Sequence, residues 1–185
     1  NGGPGSPGYL FVRKGLHRLL EQPIAGWFGH RNQFGFERDF EPDPSIRRFL
    51  TGTPSVIASA SAMAGIELAA ELGIGAIHEK AMSLTSLFID AIDGLGAGEY
   101  EVTTPRDPTR RGSHVTVRHA EAAHISIALR DRGVIVDHRA PDLVRFGFAP
   151  SYNTHRQAIH AAETFHETVV RGDYRRFETE SQRVT

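Results

Sequence analysis

The chain contains no cysteine. Disulfides, thiolate metal sites and a cysteine nucleophile are therefore excluded, and a cytoplasmic setting is the natural expectation. Lysine is almost as scarce, with Lys14 and Lys80 alone against many arginines. A lysine that forms a Schiff base needs desolvation or cationic neighbours to lower its pKa. Lys14 sits in the charged stretch Val12-Arg13-Lys14 and Lys80 beside Glu79 in a helical run, so neither fits. Charge of one sign is missing too, since the formal net charge is -1. That leaves no basic footprint for nucleic acid. No run approaches the roughly 18 consecutive apolar residues of a spanning helix, and the opening lacks the charge-then-apolar order of a signal peptide. Neither nucleic acid nor membrane is expected as a partner.

What remains is a 185-residue chain that is 39% apolar. That suffices for one compact domain, or a small domain with part of another. Residues 1–8 are rich in glycine and proline and read as turn or loop. Tyr9–Val12 reads as a short buried strand, and Leu16, Leu19 and Leu20 as one face of a short helix ending near Pro23. Residues 23–54 hold Pro23, Gly26, Gly29, Gly35, Pro42, Pro44, Gly52 and Pro54. An irregular stretch of that length is usually functional or covered by a partner. Thr53-Pro54 supplies the hydroxyl and proline of a helix start. The Ala-rich run from Ser55 to Leu72 follows and stops at Gly73, with Ala58, Ala62, Gly65 and Ala69 permitting close packing. A second helix is expected from Ala76 to Ile92, with Ile77, Leu84, Leu87, Phe88 and Ala91 inward.

Beyond residue 95 the period changes. Tyr100–Thr103 and Ser113–Val117 alternate like strands with one wet face. Ala120–Arg132 reads as a helix closed by Gly133. Val134–Val136 and Leu143–Phe148 read as strands, Thr154–Val170 as a last helix, and the polar end from Arg171 as loosely held. The order β-β-α-β-β-α is an α+β layer, and no internal repeat is present.

Arg145 is the sharpest chemical candidate. On a strand, Leu143, Arg145, Gly147 and Ala149 share one face, and Val144, Phe146 and Phe148 the other. The aromatic face belongs to the core. The opposite face leaves the guanidinium room for a ligand, and its planar fork suits a carboxylate. A salt bridge to a nearby acid such as Asp137 is the structural alternative. Trp27, the single tryptophan, lies between Gly26 and Gly29. It could pack a loop onto the core, or offer an anion its N–H, which donates and cannot accept. Thr53 could simply cap a helix, or add its hydroxyl to the N–H groups of a helix start around a phosphate. His30 follows the Trp loop and reads as solvated. His155, His160 and His166 point in different directions on a helix and no His-Glu-x-x-His occurs, so no metal site is expected. The glycine-rich start lacks the trailing Lys-Ser/Thr of a phosphate loop, which makes nucleotide an unexpected ligand.

Several motifs, in order, carry a family resemblance. They are Asn1-Gly2-Gly3-Pro4-Gly5, Gly26-Trp27-Phe28-Gly29-His30, Arg48-Phe49-Leu50-Thr51-Gly52-Thr53, Arg111-Gly112-Ser113-His114, Gly133-Val134-Ile135 and Arg145-Phe146-Gly147-Phe148. Over nearly its whole length the chain resembles the kynureninases, pyridoxal-phosphate enzymes of the class-V aminotransferase family. The resemblance implies the carboxy-terminal portion of a fold-type-I enzyme, mixing α/β and α+β architecture. Residues 1–70 would complete the large cofactor-binding domain and its dimer-interface loops, and residues 71–185 would form the small α+β domain. It implies pyridoxal 5'-phosphate as cofactor and a homodimer with shared active sites. Trp27 and Thr53 would hold the phosphate bound by the neighbouring subunit, and Arg145 the α-carboxylate of a small-molecule substrate. The implied reaction is hydrolysis of L-kynurenine to anthranilate and L-alanine, a step of tryptophan catabolism. Gly52-Thr53 matches the bacterial-type pattern, where animal enzymes place Ser-Asn, and so implies kynurenine over its 3-hydroxylated form. In the family the aldehyde-binding lysine sits in a Tyr-Lys-Tyr-Leu segment just before the Asn-Gly-Gly-Pro-Gly run. That position falls upstream of Asn1, so no catalytic residue is expected within this chain. Two alternatives stay open: another class-V enzyme, aminotransferase or lyase, and a non-catalytic ligand-binding relative without the lysine. The lack of cysteine counts against a desulfurase.

Overall fold

A computed structural model describes residues 5–96 and 99–177. It divides into two compact units, Asn1–Glu71 and Leu72–Thr185. The second unit holds an antiparallel sheet of strands β1 (Glu101–Val102), β2 (His114–Arg118), β3 (Asp137–Arg139) and β4 (Leu143–Gly147), in the order β1-β2-β4-β3. Helices α2 (Ile74–Gly94), α3 (Ala122–Asp131) and α4 (His155–Val170) complete it. The two-residue period of β2 and β4 turns Val115, Val117, Val144 and Phe146 into the core. Against them pack Phe88 of α2, with its ring 4.6 Å from that of Phe146, and Phe165 of α4 at 5.5 Å. Ile125 and Leu129 of α3 are fully buried in the same cluster. The β-β-α-β-β-α order read from the sequence is the order found.

Local chemistry sets the ends of these helices. Gly133 takes a φ of +81°, and its N–H bonds the Arg130 carbonyl while that of Val134 bonds Leu129, the paired bonds that close α3. Thr154 and Gln157 form a reciprocal capping box at the start of α4. Three expectations need correction here. Val134–Val136 is the exit from the glycine turn rather than a strand, and β3 begins at Asp137. The stretch after Arg171 is not wholly loose: Asp173–Phe177 forms a 3-10 turn that buries Tyr174 against His119, with ring centroids 5.5 Å apart. Residues 178–185 lie outside the described part. β1 is also shorter than Tyr100–Thr103.

The first unit contains α1 (Val56–Leu72) and 3-10 turns at Lys14–Leu16, Trp27–Gly29 and Ile46–Phe49. Tyr9–Val12 is not a strand, because no described segment pairs with its backbone, and Tyr9, Leu10 and Phe11 are exposed. The helix expected around Leu16–Leu20 is a 3-10 turn extended by N–H bonds from Leu19 and Leu20 to the Leu16 carbonyl. So short a stretch before Pro23 cannot repay helix nucleation. α1 starts two residues beyond the expected place. Ser55 provides its cap, accepting from the Ala58 N–H at 3.4 Å, and Ala62 is its one buried residue. Asn1–Pro4, the start of the expected turn, lies outside the described residues. Among the described residues no single helix is long and apolar enough to cross a membrane.

Candidate functional site

Gly26 and Gly29 explain how the Trp loop is held. A Cβ built on Gly26 would fall 1.6 Å from the carbonyl oxygen of Thr51, and one on Gly29 2.6 Å from that of Leu50. Only glycine allows this approach. The Gly-Trp-Phe-Gly-His motif thus abuts Arg-Phe-Leu-Thr-Gly-Thr backbone to backbone, although about twenty residues separate them in sequence. The chain between returns as a closed loop: His30 bridges Pro42, the Arg31 N–H bonds the Glu41 carbonyl at 2.8 Å, and the Asp43 N–H that of Gly29 at 2.9 Å.

Trp27 is half-exposed, with the Phe28 and Phe34 rings edge-on at 4.7 and 5.8 Å. Together with His30, Phe36 and Phe40 it lines a cavity of about 440 Å³. His30 is not solvated as expected but buried. Its Nδ1 accepts from the Asn32 N–H at 2.9 Å, which leaves Nε2–H to donate to the Asp39 carbonyl at 3.2 Å. The Phe40 ring packs edge-on against the His30 ring at 5.5 Å. Thr53 is exposed, and since Ser55 caps α1 its hydroxyl has no capping role. Neither the indole N–H of Trp27 nor the Thr53 hydroxyl is paired among the described residues. Arg48, on the strip that Gly29 touches, is buried with Nε lacking a partner. Unpaired donors held by fixed backbone suit an anion such as a phosphate ester. Nothing in the sequence marked Arg48 as buried.

In the second unit Arg145 points from the sheet face opposite the core, as its alternation predicts, and is half-buried. Asp137 stands directly across from it on β3. The structural alternative is realised: Arg145 donates to Asp137 Oδ2 from Nε at 3.2 Å and from Nη2. The hydrogen-bonded Arg145 guanidinium holds the Asp137 carboxyl below its ordinary range. Thr116 pairs with Arg145 on the other side, and Gly147 stands opposite His114. Arg111 of the Arg-Gly-Ser-His motif is a clamp, donating to Thr85 Oγ1 at 3.2 Å, Ser86 Oγ at 2.5 Å and the carbonyls of Pro105 and Arg106. Trp27 and Thr53 thus belong to the first unit and Arg145 to the second. No cluster of three histidine or acidic residues suited to a metal ion occurs among the described residues.

Residues 77–165 match the family model described as the kynureninase C-terminal domain. The chain is 39% identical to a kynureninase of Pseudomonas fluorescens over 172 residues, covering 92% of this chain and 41% of that protein. It is 39% identical to a kynureninase of Burkholderia mallei (strain SAVP1) over 168 residues, covering 90% and 40%. The chain spans about two fifths of the length of these curated relatives. Among solved structures, the apo cysteine desulfurase of Thermococcus onnurineus NA1 superposes with a TM-score of 0.71 at 19% identity, over 86% of this chain and 42% of that one. This last likeness is one of fold.

Proposed function

We propose that the chain belongs to the kynureninase family, whose C-terminal domain model it matches over residues 77–165, and that it is the part of a pyridoxal-phosphate hydrolase that grips the cofactor phosphate and the substrate carboxylate. The reaction is conversion of L-kynurenine and water to anthranilate and L-alanine. The observation that carries this reading is the 39% identity spread over 92% of the chain. Residues 1–70 complete the large cofactor-binding domain with its dimer-interface loops, and residues 71–185 form the small domain.

When bound, pyridoxal phosphate would supply an electron sink conjugated to Cα, which takes up the pair freed when Cα loses its proton and, through Cα, the pair left on Cβ when the Cβ–Cγ bond breaks. The chain's own residues position the reactants. Trp27 and Thr53 donate their N–H and O–H to phosphate oxygens, across a homodimer interface. Support for such an interface comes from the exposed Leu10, Phe11, Phe36 and Ile57 of the first unit. Arg145 pairs with the α-carboxylate and fixes the orientation of Cα, a constraint that lowers the entropy lost on reaching the transition state. Gly52-Thr53 favours kynurenine over its 3-hydroxylated form. The absence of cysteine removes a persulfide carrier from this chain and accords with a cytoplasmic protein.

The test is incubation of the cofactor-loaded enzyme containing this chain with L-kynurenine. Anthranilate fluorescence should rise in step with alanine. Transfer of the amino group to a keto acid without anthranilate would make it an aminotransferase, and loss of the cofactor on dialysis would favour a non-catalytic relative. Replacing Trp27 or Thr53 by alanine should weaken cofactor retention by about tenfold, the loss expected for one charge-assisted hydrogen bond. Equilibrium dialysis measures it.

A further inference from the structure

A guanidinium carries five N–H donors, arranged so that a carboxylate can meet it two ways: side-on along the Nε/Nη2 edge, or end-on across Nη1 and Nη2. In Arg145 the side-on edge is taken. Nε and Nη2 both donate to one oxygen, Oδ2 of Asp137, and Nη1 makes no hydrogen bond to a described residue. The acceptor is fixed by the sheet, since Asp137 and Arg145 are register partners in the β3–β4 ladder. A second arginine, Arg139, donates to the same Oδ2 at 3.4 Å. Two guanidinium groups thus surround one carboxylate, and the trio keeps a positive excess.

We propose that Asp137 is a positioning residue for substrate recognition: it occupies the side-on edge of Arg145 and presents the end-on pair, Nη1 and Nη2, to the incoming α-carboxylate. The inference rests on Arg145 being the carboxylate-binding residue. Without Asp137 the side chain keeps its charge but loses the anchor that fixes the plane of its fork, so recognition of a planar anion suffers while attraction to anions in general persists. The hydrogen-bonded Arg145 guanidinium lowers the Asp137 pKa below its ordinary range.

The experiment uses two aryl ketones of the same shape that lack the amine. Carboxylate-bearing 3-benzoylpropionate and uncharged butyrophenone are titrated calorimetrically into the holoenzyme containing this chain, alongside steady-state kinetics with L-kynurenine. Asp137→Ala should weaken benzoylpropionate by about tenfold and raise KM similarly, with kcat and butyrophenone affinity within about twofold, as expected for loss of orientation in a charged hydrogen bond. Asp137→Asn, which retains an acceptor, should recover part of the loss. Equal weakening of both ketones, or an unchanged benzoylpropionate affinity, overturns the proposal. Arg145→Ala is the control on the underlying reading: it should abolish the preference for benzoylpropionate over butyrophenone. If that preference survives, Arg145 is not the carboxylate residue; if it vanishes while Asp137→Ala has no effect, only the role of Asp137 falls.

Discussion

At Gly26 a single added methyl group would run into the carbonyl of Thr51. The atom it meets is backbone, so relief requires one of the two motifs to move. Gly26→Ala should cost about 3 kcal/mol of stability in the first unit, the upper range for overpacking, and should loosen cofactor binding with it. Chemical denaturation followed by Trp27 fluorescence would register both. His119 offers a second residue-scale test. Its Nδ1 accepts from the Glu121 N–H at 2.9 Å, while Nε2 is buried without a partner. Burial pushes its pKa down from 6.5, with Glu99 and Glu121 pulling weakly the other way. Between the depressed folded value and 6.5 the unfolded chain binds more protons, so stability rises with pH across that window and is lost on acidification. His119→Gln should flatten the difference between urea midpoints taken at about pH 7.5 and about pH 5.5. An unchanged slope would remove His119 from the account.

Among the elements, those with both ends marked in the sequence were legible. Gly133 after an apolar period announced α3, the run from Thr154 to Val170 was read as α4, and both stand within a residue or two of the expected bounds. The strand Tyr9–Val12 was misread because four apolar residues look alike whether they pair within the chain or face something outside it. The cap of α1 was misplaced because two hydroxyls, Thr53 and Ser55, flank Pro54, and sequence alone does not rank them. Thr154→Ala should lower stability by about 1 kcal/mol through loss of the cap. Gly133→Ala should cost about 1 kcal/mol by strain alone, since a Cβ there meets open space while φ stays at +81°. Thermal unfolding of each variant would show whether the two losses add, as separate sites should.

Across the whole molecule the two units differ in what holds them. The second gathers its apolar residues into one cluster from Leu84 to Tyr174. The first leaves Phe11 and Phe36 almost fully exposed and relies on glycine contacts and short turns. Hydrogen exchange should therefore be slowest in β2, β4 and α4, and fastest over residues 5–25. Site legibility followed the same division. Arg145 could be placed on its face from a two-residue period, because that period survives in the strand. The meeting of Gly26 with Thr51 could not be foreseen, since contacts between irregular segments leave no periodic trace.

Gly52, one residue past that meeting point, has open space where a side chain would go and no restricted φ. The immobile support and the adjustable position are therefore neighbours with opposite tolerance for change. A lineage, or an engineer, can place serine at position 52 without disturbing the bearing on which Trp27 is mounted.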